Sequence, residues 1–297
     1  MCEILHNVKD KEINDQKKKY SNLILGSAQF DGKYGIANRQ KFKKENLDQV
    51  LKSANEIGIN QIDTAYGYKG VQNKISKSIF SKKFKIISKG SLNFYKKNSF
   101  IKEFNETLKK FNPSKLKYFL VHNFNEYYKY PKEFTKIIKD NKLLRNKLGI
   151  SIYSPDELEK LNEKIFHLIQ IPFNLLDMRW KNLRLKNKII VRSIFLQGIF
   201  FCRDKDIPIK IKPEVQKIKK KIDFFIKKFK RFDSKDLFLS YVKYFNFKGV
   251  IIGVDHEKQL RELFFYINRP GLKKNQIREI ENFFKVSLNV IDPRKWF

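Results

Sequence analysis

The stretch Asn60-Gln-Ile-Asp-Thr-Ala-Tyr-Gly-Tyr68 decides how the rest of the chain is read. Gly58 stops a helical run, and Ile59 to Ile62 is short and partly apolar, so the segment predicts a buried strand entered from a helix end. Asp63 closes that strand, and residues 64–70 have the glycine and small-residue content of a loop. A carboxylate therefore ends a strand, with the phenols of Tyr66 and Tyr68 in the loop beyond it.

The same alternation extends in both directions. Leu23-Ile-Leu-Gly26 predicts a first core strand, and Leu47, Val50, Leu51, Ala54 and Ile57 recur at helical spacing over residues 45–57. After the loop come a helix over 71–80, a strand over 84–88 and a helix over 99–111 closed by Pro113. Further strands are expected at 117–121, 147–151, 167–170, 189–193 and 249–252, with helices at 131–141, 177–187, 213–229, 234–244, 256–266 and 276–284. Ser154-Pro155 opens another helix, with serine as cap and proline in the first turn. Residues 198–213 read as a long loop. Eight short strands, apolar on both faces and alternating with helices, argue for a parallel sheet sheathed in helices. At 297 residues that is an α/β fold of the (β/α)8 TIM-barrel type with extra helices near the C-terminus. An open doubly wound sheet is the alternative, but Leu25-Gly26-Ser27-Ala28 supplies no GxGxxG fingerprint after the first strand. Residues 1–20 form a polar arm, and 21–297 are expected to make one barrel domain.

Composition narrows the partners. The formal charge is +33, from 64 Lys+Arg against 31 Asp+Glu. Such a balance suits nucleic acid or an anionic surface. The lysines, however, spread over nearly every helix instead of forming one stripe, and no nucleic-acid motif is present, so neither nucleic acid nor membrane is expected as a partner. The positive field still favours a phosphorylated or carboxylated substrate. Cys2 and Cys202 lack CxxC neighbours, which argues against a disulfide framework or a structural metal site and for a reduced, cytoplasmic setting. No signal-peptide pattern and no run of about twenty apolar residues is present.

Asp63 and Tyr68, then Lys89 ending Lys85-Ile-Ile-Ser-Lys89 and His122 ending Tyr118-Phe-Leu-Val-His122, stand in order on three successive strand ends. Together they resemble the catalytic tetrad of the aldo-keto reductase family. The resemblance implies an NAD(P)H-dependent reduction of a small aldehyde or ketone to an alcohol, without metal. Reducing a carbonyl needs a hydride on carbon and a proton on oxygen, and an unaided phenol is a weak acid. In the family's pattern Tyr68 is the general acid, Lys89 tunes it, Asp63 anchors the lysine and His122 orients the carbonyl. Tyr66, in a Tyr-Gly pair two residues early, is the alternative acid.

The resemblance runs from about Leu23 to Trp296. It implies that Ser151 and Gln170 hold the nicotinamide carboxamide, with Asn174 beyond. Arg192 stands where some members stack a tyrosine on the nicotinamide, and Ser193 where the pyrophosphate is reached. Gly253, Gln259 and Glu262 match the adenosine-phosphate segment, whose helix start favours an anion. NADPH is implied, but Val254, Asp255 and His256 replace the usual basic residues, leaving Lys258 as a substitute and making NADH an open alternative. The family's glycine and Ser-Glu after the tyrosine are replaced by Lys69, Val71 and Gln72. Those departures motivate a second reading, a cofactor-binding or regulatory protein without turnover. Arg294 and Trp296 resemble an ending of bacterial members of surface-sugar pathways, which points to a sugar-derived carbonyl.

Overall fold

The computed structural model describes residues 22–32, 34–36, 44–92, 99–180, 183 and 185–297; the polar arm expected over 1–20 lies outside them. Eight strands close on themselves in sequence order: β1 (Leu23–Gly26), β2 (Gln61–Asp63), β3 (Lys85–Gly90), β4 (Leu116–Val121), β5 (Leu148–Ser151), β6 (Leu168–Pro172), β7 (Ile189–Arg192) and β8 (Gly249–Gly253). Every pairing is parallel, and β1 meets β8 through Leu23↔Val250 to Gly26↔Gly253. This is the (β/α)8 barrel, with helices Lys274–Phe283 and Leu288–Ile291 added at the C-terminal end.

Local sequence sets the helix ends. Gly58, at φ +86°, turns the chain after helix Lys44–Glu56, a conformation that costs glycine little. Asn123, Ser154 and Asp233 each accept a backbone N–H at the start of their helices, satisfying a donor the helix leaves open. One expected helix is absent. Residues 177–187 contain 3-10 turns at Met178–Trp180 and Lys186–Lys188, and no α-helix is found there among the described residues. Asp177 folds its carboxylate back onto the Arg179 backbone and guanidinium, and Leu185 sits at φ +61°; both interrupt a helical run.

Burial divides into two layers. Between strands and helices lies a large apolar shell that includes Phe30, Phe104, Phe119, Phe134, Phe166 and Phe225. Inside the barrel a separate plug of Ile24, Ile87, Leu120, Leu168, Ile190 and Ile251 fills the axis. Side chains alternate along a strand, so the residue two positions further on points to the same interior, about 6–7 Å higher. Those residues are Gly26, Lys89, His122, Gln170, Arg192 and Gly253. The plug is thus the floor under the C-terminal mouth of the barrel.

Candidate active site

Asp63, the last residue of β2, and Lys89, on β3, meet at that mouth. The Lys89 ammonium donates to both Asp63 carboxylate oxygens at 2.7 Å and to the Thr64 carbonyl at 2.8 Å. Both side chains are almost fully buried. The turn after β2 brings the phenol back: Tyr68 N donates to Ala65 O at 3.2 Å, and the Lys89 Nζ lies 5.7 Å from the Tyr68 ring centroid. His122 extends the β4 ladder by one bond, its N–H donating to Gly90 O at 3.0 Å. Its ring stands edge-on to Tyr68 with centroids 6.4 Å apart. The four residues come together in space although 59 positions separate the outermost two (122 − 63).

Tyr66 goes elsewhere. Its hydroxyl donates to Glu106 Oε2 at 2.5 Å, and it lines neither cavity at the mouth. That hydrogen bond, with burial second, pushes the Tyr66 phenol up to about 12. The five-residue spacing between Asp63 and Tyr68 is what returns a phenol to the lysine.

The electrostatics follow from burial. Desolvation, then the Asp63 charge, holds the Tyr68 phenol well above its ordinary value, with Arg192 opposing the rise. The phenol therefore stays protonated across the neutral range. Burial pulls the Lys89 pKa down against the Asp63 carboxylate, which favours the ammonium. His122 is lowered to about 4, by burial first and then by Lys89 and Arg192, so its imidazole is neutral at pH 7. A neutral imidazole keeps one N–H to donate.

A cleft runs from Asp63 and Tyr68 past Arg192 and Ser193 to Gly253, Asp255 and Gln259. Its wall after β7 is conformationally unusual: Ser193, Leu196, Gln197 and Gly198 all have positive φ, between +44° and +81°. Residues held this way cluster at ligand clamps. At Gly253 an added Cβ would come within 2.1 Å of the Gln29 side chain, so Gln29 packs directly on this backbone at the cleft's edge. Ser151 Oγ and Gln170 Oε1 lie 3.4 Å apart, and Gln170 Nε2 donates to Asp63 Oδ1 at 2.8 Å, which ties this pair to the Asp63 carboxylate. Gln259 accepts the Asp255 N–H at 2.8 Å and so closes the first turn of helix Glu257–Asn268.

Some of the expected residues are placed differently. Asn174 is buried away from the cleft; it accepts the Leu176 N–H and donates to the Ser193 carbonyl at 3.4 Å, positioning that loop. Glu262 faces Lys235 and Tyr266, at 2.6 and 3.2 Å, and does not line the cleft. Lys258 is exposed and also outside the lining, whereas Asp255 lines it, its carboxyl raised by burial. The Arg192 guanidinium lies 4.3 Å from the Tyr153 ring and donates to Ser193 Oγ and Ile152 O.

Three residues at the mouth escaped the reading by sequence. Tyr34 lines both cavities, and burial, then Tyr68, lifts its phenol to about 12. Tyr153 and Arg179 line the second cavity. Tyr153 lies two residues beyond Ser151, an inward register that strand alternation could have flagged.

A closed (β/α)8 barrel with an acid, an ammonium, a phenol and an imidazole at its C-terminal mouth defines a class of barrel enzymes. The sequence matches the Aldo/keto reductase family over residues 22–285, and the chain belongs to that family. No curated protein matches the sequence. Among solved structures the chain is similar to Tm1743, a thermostable aldo-keto reductase solved with the inhibitor epalrestat. The identity is 17%, the TM-score 0.61, and the match covers 90% of this chain and 96% of that one. It is also similar to MGS-M4, an aldo-keto reductase enzyme from a Medee basin deep-sea metagenome library, at 15% identity and TM-score 0.59, covering 92% and 94%. At such identities the two structures speak for the fold. Among the described residues no helix is long and apolar enough to cross a membrane.

Proposed function

We propose that the protein reduces an aldehyde or ketone to an alcohol with a nicotinamide cofactor, NADPH or NADH. The observation that carries this reading is the Asp63–Lys89 pair held under the Tyr68 ring, with His122 alongside, at the head of the cleft. The cleft suits a dinucleotide: the run of positive φ in its 193–198 wall is of the kind found at ligand clamps and would serve a pyrophosphate. Ser151 and Gln170 would hold the carboxamide, Arg192 and Ser193 the nicotinamide and pyrophosphate, and Gly253 and Gln259 the adenosine end. The bound nicotinamide supplies the hydride.

The chain's own groups handle the oxygen. As carbon accepts the hydride, charge builds on the carbonyl oxygen, and the neutral His122 N–H donates to it and fixes its direction. Tyr68 then gives that oxygen its proton. The resulting alkoxide is far more basic than a phenolate, so the transfer runs downhill even from a phenol with a raised pKa. Lys89 stabilises the phenolate left behind, and Asp63 and the Thr64 carbonyl hold the ammonium for that purpose. Lys89 and His122 stand one pleat above the aliphatic plug and Tyr68 packs against the outer apolar shell, so their interactions are stronger than in water.

The test is direct. Purified protein offered a panel of aldehydes should consume NADPH or NADH, read as falling absorbance of the reduced nicotinamide. Tight cofactor binding with no turnover on any carbonyl would favour a non-catalytic or regulatory role on the same barrel. The departures at Lys69, Val71 and Gln72 motivate that second reading. In the structure Gln72 is buried, donating to Ser88 Oγ at 2.8 Å and near Thr107 Oγ1 at 3.4 Å. This neutral bridge sits behind β3.

A further inference from the structure

The second cavity at the mouth opens on Tyr68, Lys89 and His122 and also takes in Tyr153, Arg179, Arg192 and Arg294. Three of its four cations have a carboxylate of their own. Lys89 has Asp63, Arg179 has Asp177 and Arg294 has Asp292, each at 2.6–2.7 Å. Arg192 has no carboxylate partner among the described residues, and its bonds go to the neutral oxygens of Ser193 and Ile152. The pocket therefore keeps one positive charge without a balancing anion.

The two paired arginines are not used up by their partners. Asp177 and Asp292 each grip the Nε–Nη2 edge of the guanidinium, which leaves the Nη1 donors of Arg179 and Arg294 available. The forks are held rigidly. Asp177 is fully buried, and the Arg294 guanidinium lies 3.9 Å from the Tyr153 ring that also carries Arg192. The segment bearing Arg294 is pinned by Trp296, buried and donating its Nε1–H to the Val290 carbonyl at 3.0 Å. The Arg294 side chain keeps 55% of its surface exposed, so the pocket's guanidinium edge is open to a ligand. Fixed guanidinium forks of this kind match the geometry of a carboxylate or phosphate.

We infer that the carbonyl substrate bears an anionic group, a carboxylate or a phosphate, which the free Nη1 edges of Arg294 and Arg179 bind. The inference rests on the reductase reading above, because the carbonyl must reach Tyr68 while the anion reaches the arginines. Across the pocket the substrate is thus oriented by both ends.

The experiment compares matched substrates in one assay: succinate semialdehyde with butanal for a carboxylate, and glyceraldehyde 3-phosphate with glyceraldehyde for a phosphate. The anionic member of at least one pair should be favoured by about tenfold or more in kcat/KM, mostly through KM, as charge-assisted hydrogen bonds of ordinary strength give. The better pair identifies the group. Arg294→Gln and Arg179→Gln should each cut that anionic-to-neutral ratio by roughly fivefold or more. A ratio measured within one variant is insensitive to the fraction folded. Turnover of neutral and anionic partners at equal efficiency by the unaltered enzyme would overturn this inference alone. So would a ratio left intact by both substitutions. No turnover of any member would overturn the reductase reading and this inference with it.

Discussion

The floor and the mouth of the barrel occupy the same interior, two residues apart along the same strands, and differ in nearly everything else. Ile87 precedes Lys89, Leu120 precedes His122, Leu168 precedes Gln170 and Ile190 precedes Arg192. Below, six aliphatic side chains pack with one another. Above, Asp63, Lys89, Gln170 and Ser151 form a buried polar network on top of them. A strand pleat turns one interior into two environments because it returns each side chain to the same face every second residue. The floor contributes stability and dryness, and the mouth spends some of that stability on buried charge.

Breaking the mouth should cost rate with little loss of stability. Tyr68→Phe removes one hydroxyl from the cluster and is expected to lower kcat by about a thousandfold, within the range for loss of a positioned general acid. Cofactor binding, followed by fluorescence titration, should persist. Tyr66→Phe, which loses only the bond to Glu106, should stay within a few-fold of the unaltered enzyme. If the two phenotypes were exchanged, the acid would be Tyr66.

Breaking the floor should do the reverse. Leu168→Ala opens a cavity in a fully buried plug and should lower unfolding free energy by about 3 kcal/mol, the usual range for buried leucine being roughly 2–5 kcal/mol. Urea unfolding reads this directly. Activity per folded molecule should fall far less than in Tyr68→Phe. A catalytic collapse equal to that of Tyr68→Phe would show that the two layers are not separable.

How much of this contrast could be read from the sequence depends on where the signal lies. Polar residues that terminate apolar runs mark strand ends, and Asp63, Lys89, His122 and Gln170 stand out for that reason. The eight strands were legible on the same grounds, since short apolar runs between helical patterns leave few alternatives. Contacts made by ring closure were not legible. Nothing near Tyr153 in sequence shows that Arg192 and Arg294, 39 and 141 positions away (192 − 153 and 294 − 153), lie against it. The helix expected over 177–187 fails for a related reason: Asp177 turns back on Arg179 at the rim, a local bond that overrides helical spacing. Glu262 matched a pattern but faces Lys235, because helix Glu257–Asn268 presents that side to helix Ser234–Tyr244.

Acid should sharpen the contrast from the mouth side. His122 has a folded pKa near 4 and an unfolded value near 6.5. Between those values the unfolded chain binds a proton that the folded chain refuses, so stability falls as pH drops from about 6.5 to 4 and is unaffected by this group above that window. The full difference is worth up to about 3 kcal/mol. Unfolding measured at several pH values should show the loss, and His122→Gln should flatten it. Leu168→Ala should leave the slope in place, since it removes packing and no titrating group.

The smallest expected effect lies at the far end of the cleft, where neither floor nor cluster reaches. Asp255 lines that end, beside the start of helix Glu257–Asn268, and among the described lining residues the only cation is Arg192. A carboxylate there disfavours the extra phosphate of NADPH and tolerates the ribose hydroxyl of NADH. Asp255→Asn removes the charge while keeping the size, and the Asp255 backbone N–H can still donate to Gln259. The ratio of NADPH to NADH affinity should rise by roughly three- to tenfold, the scale of one partly screened charge–charge interaction. The gain should shrink as salt is added, because only the Coulomb repulsion has been removed. A ratio that did not move at low salt would place the adenosine phosphate away from Asp255, and with it the direction in which the dinucleotide leaves the mouth.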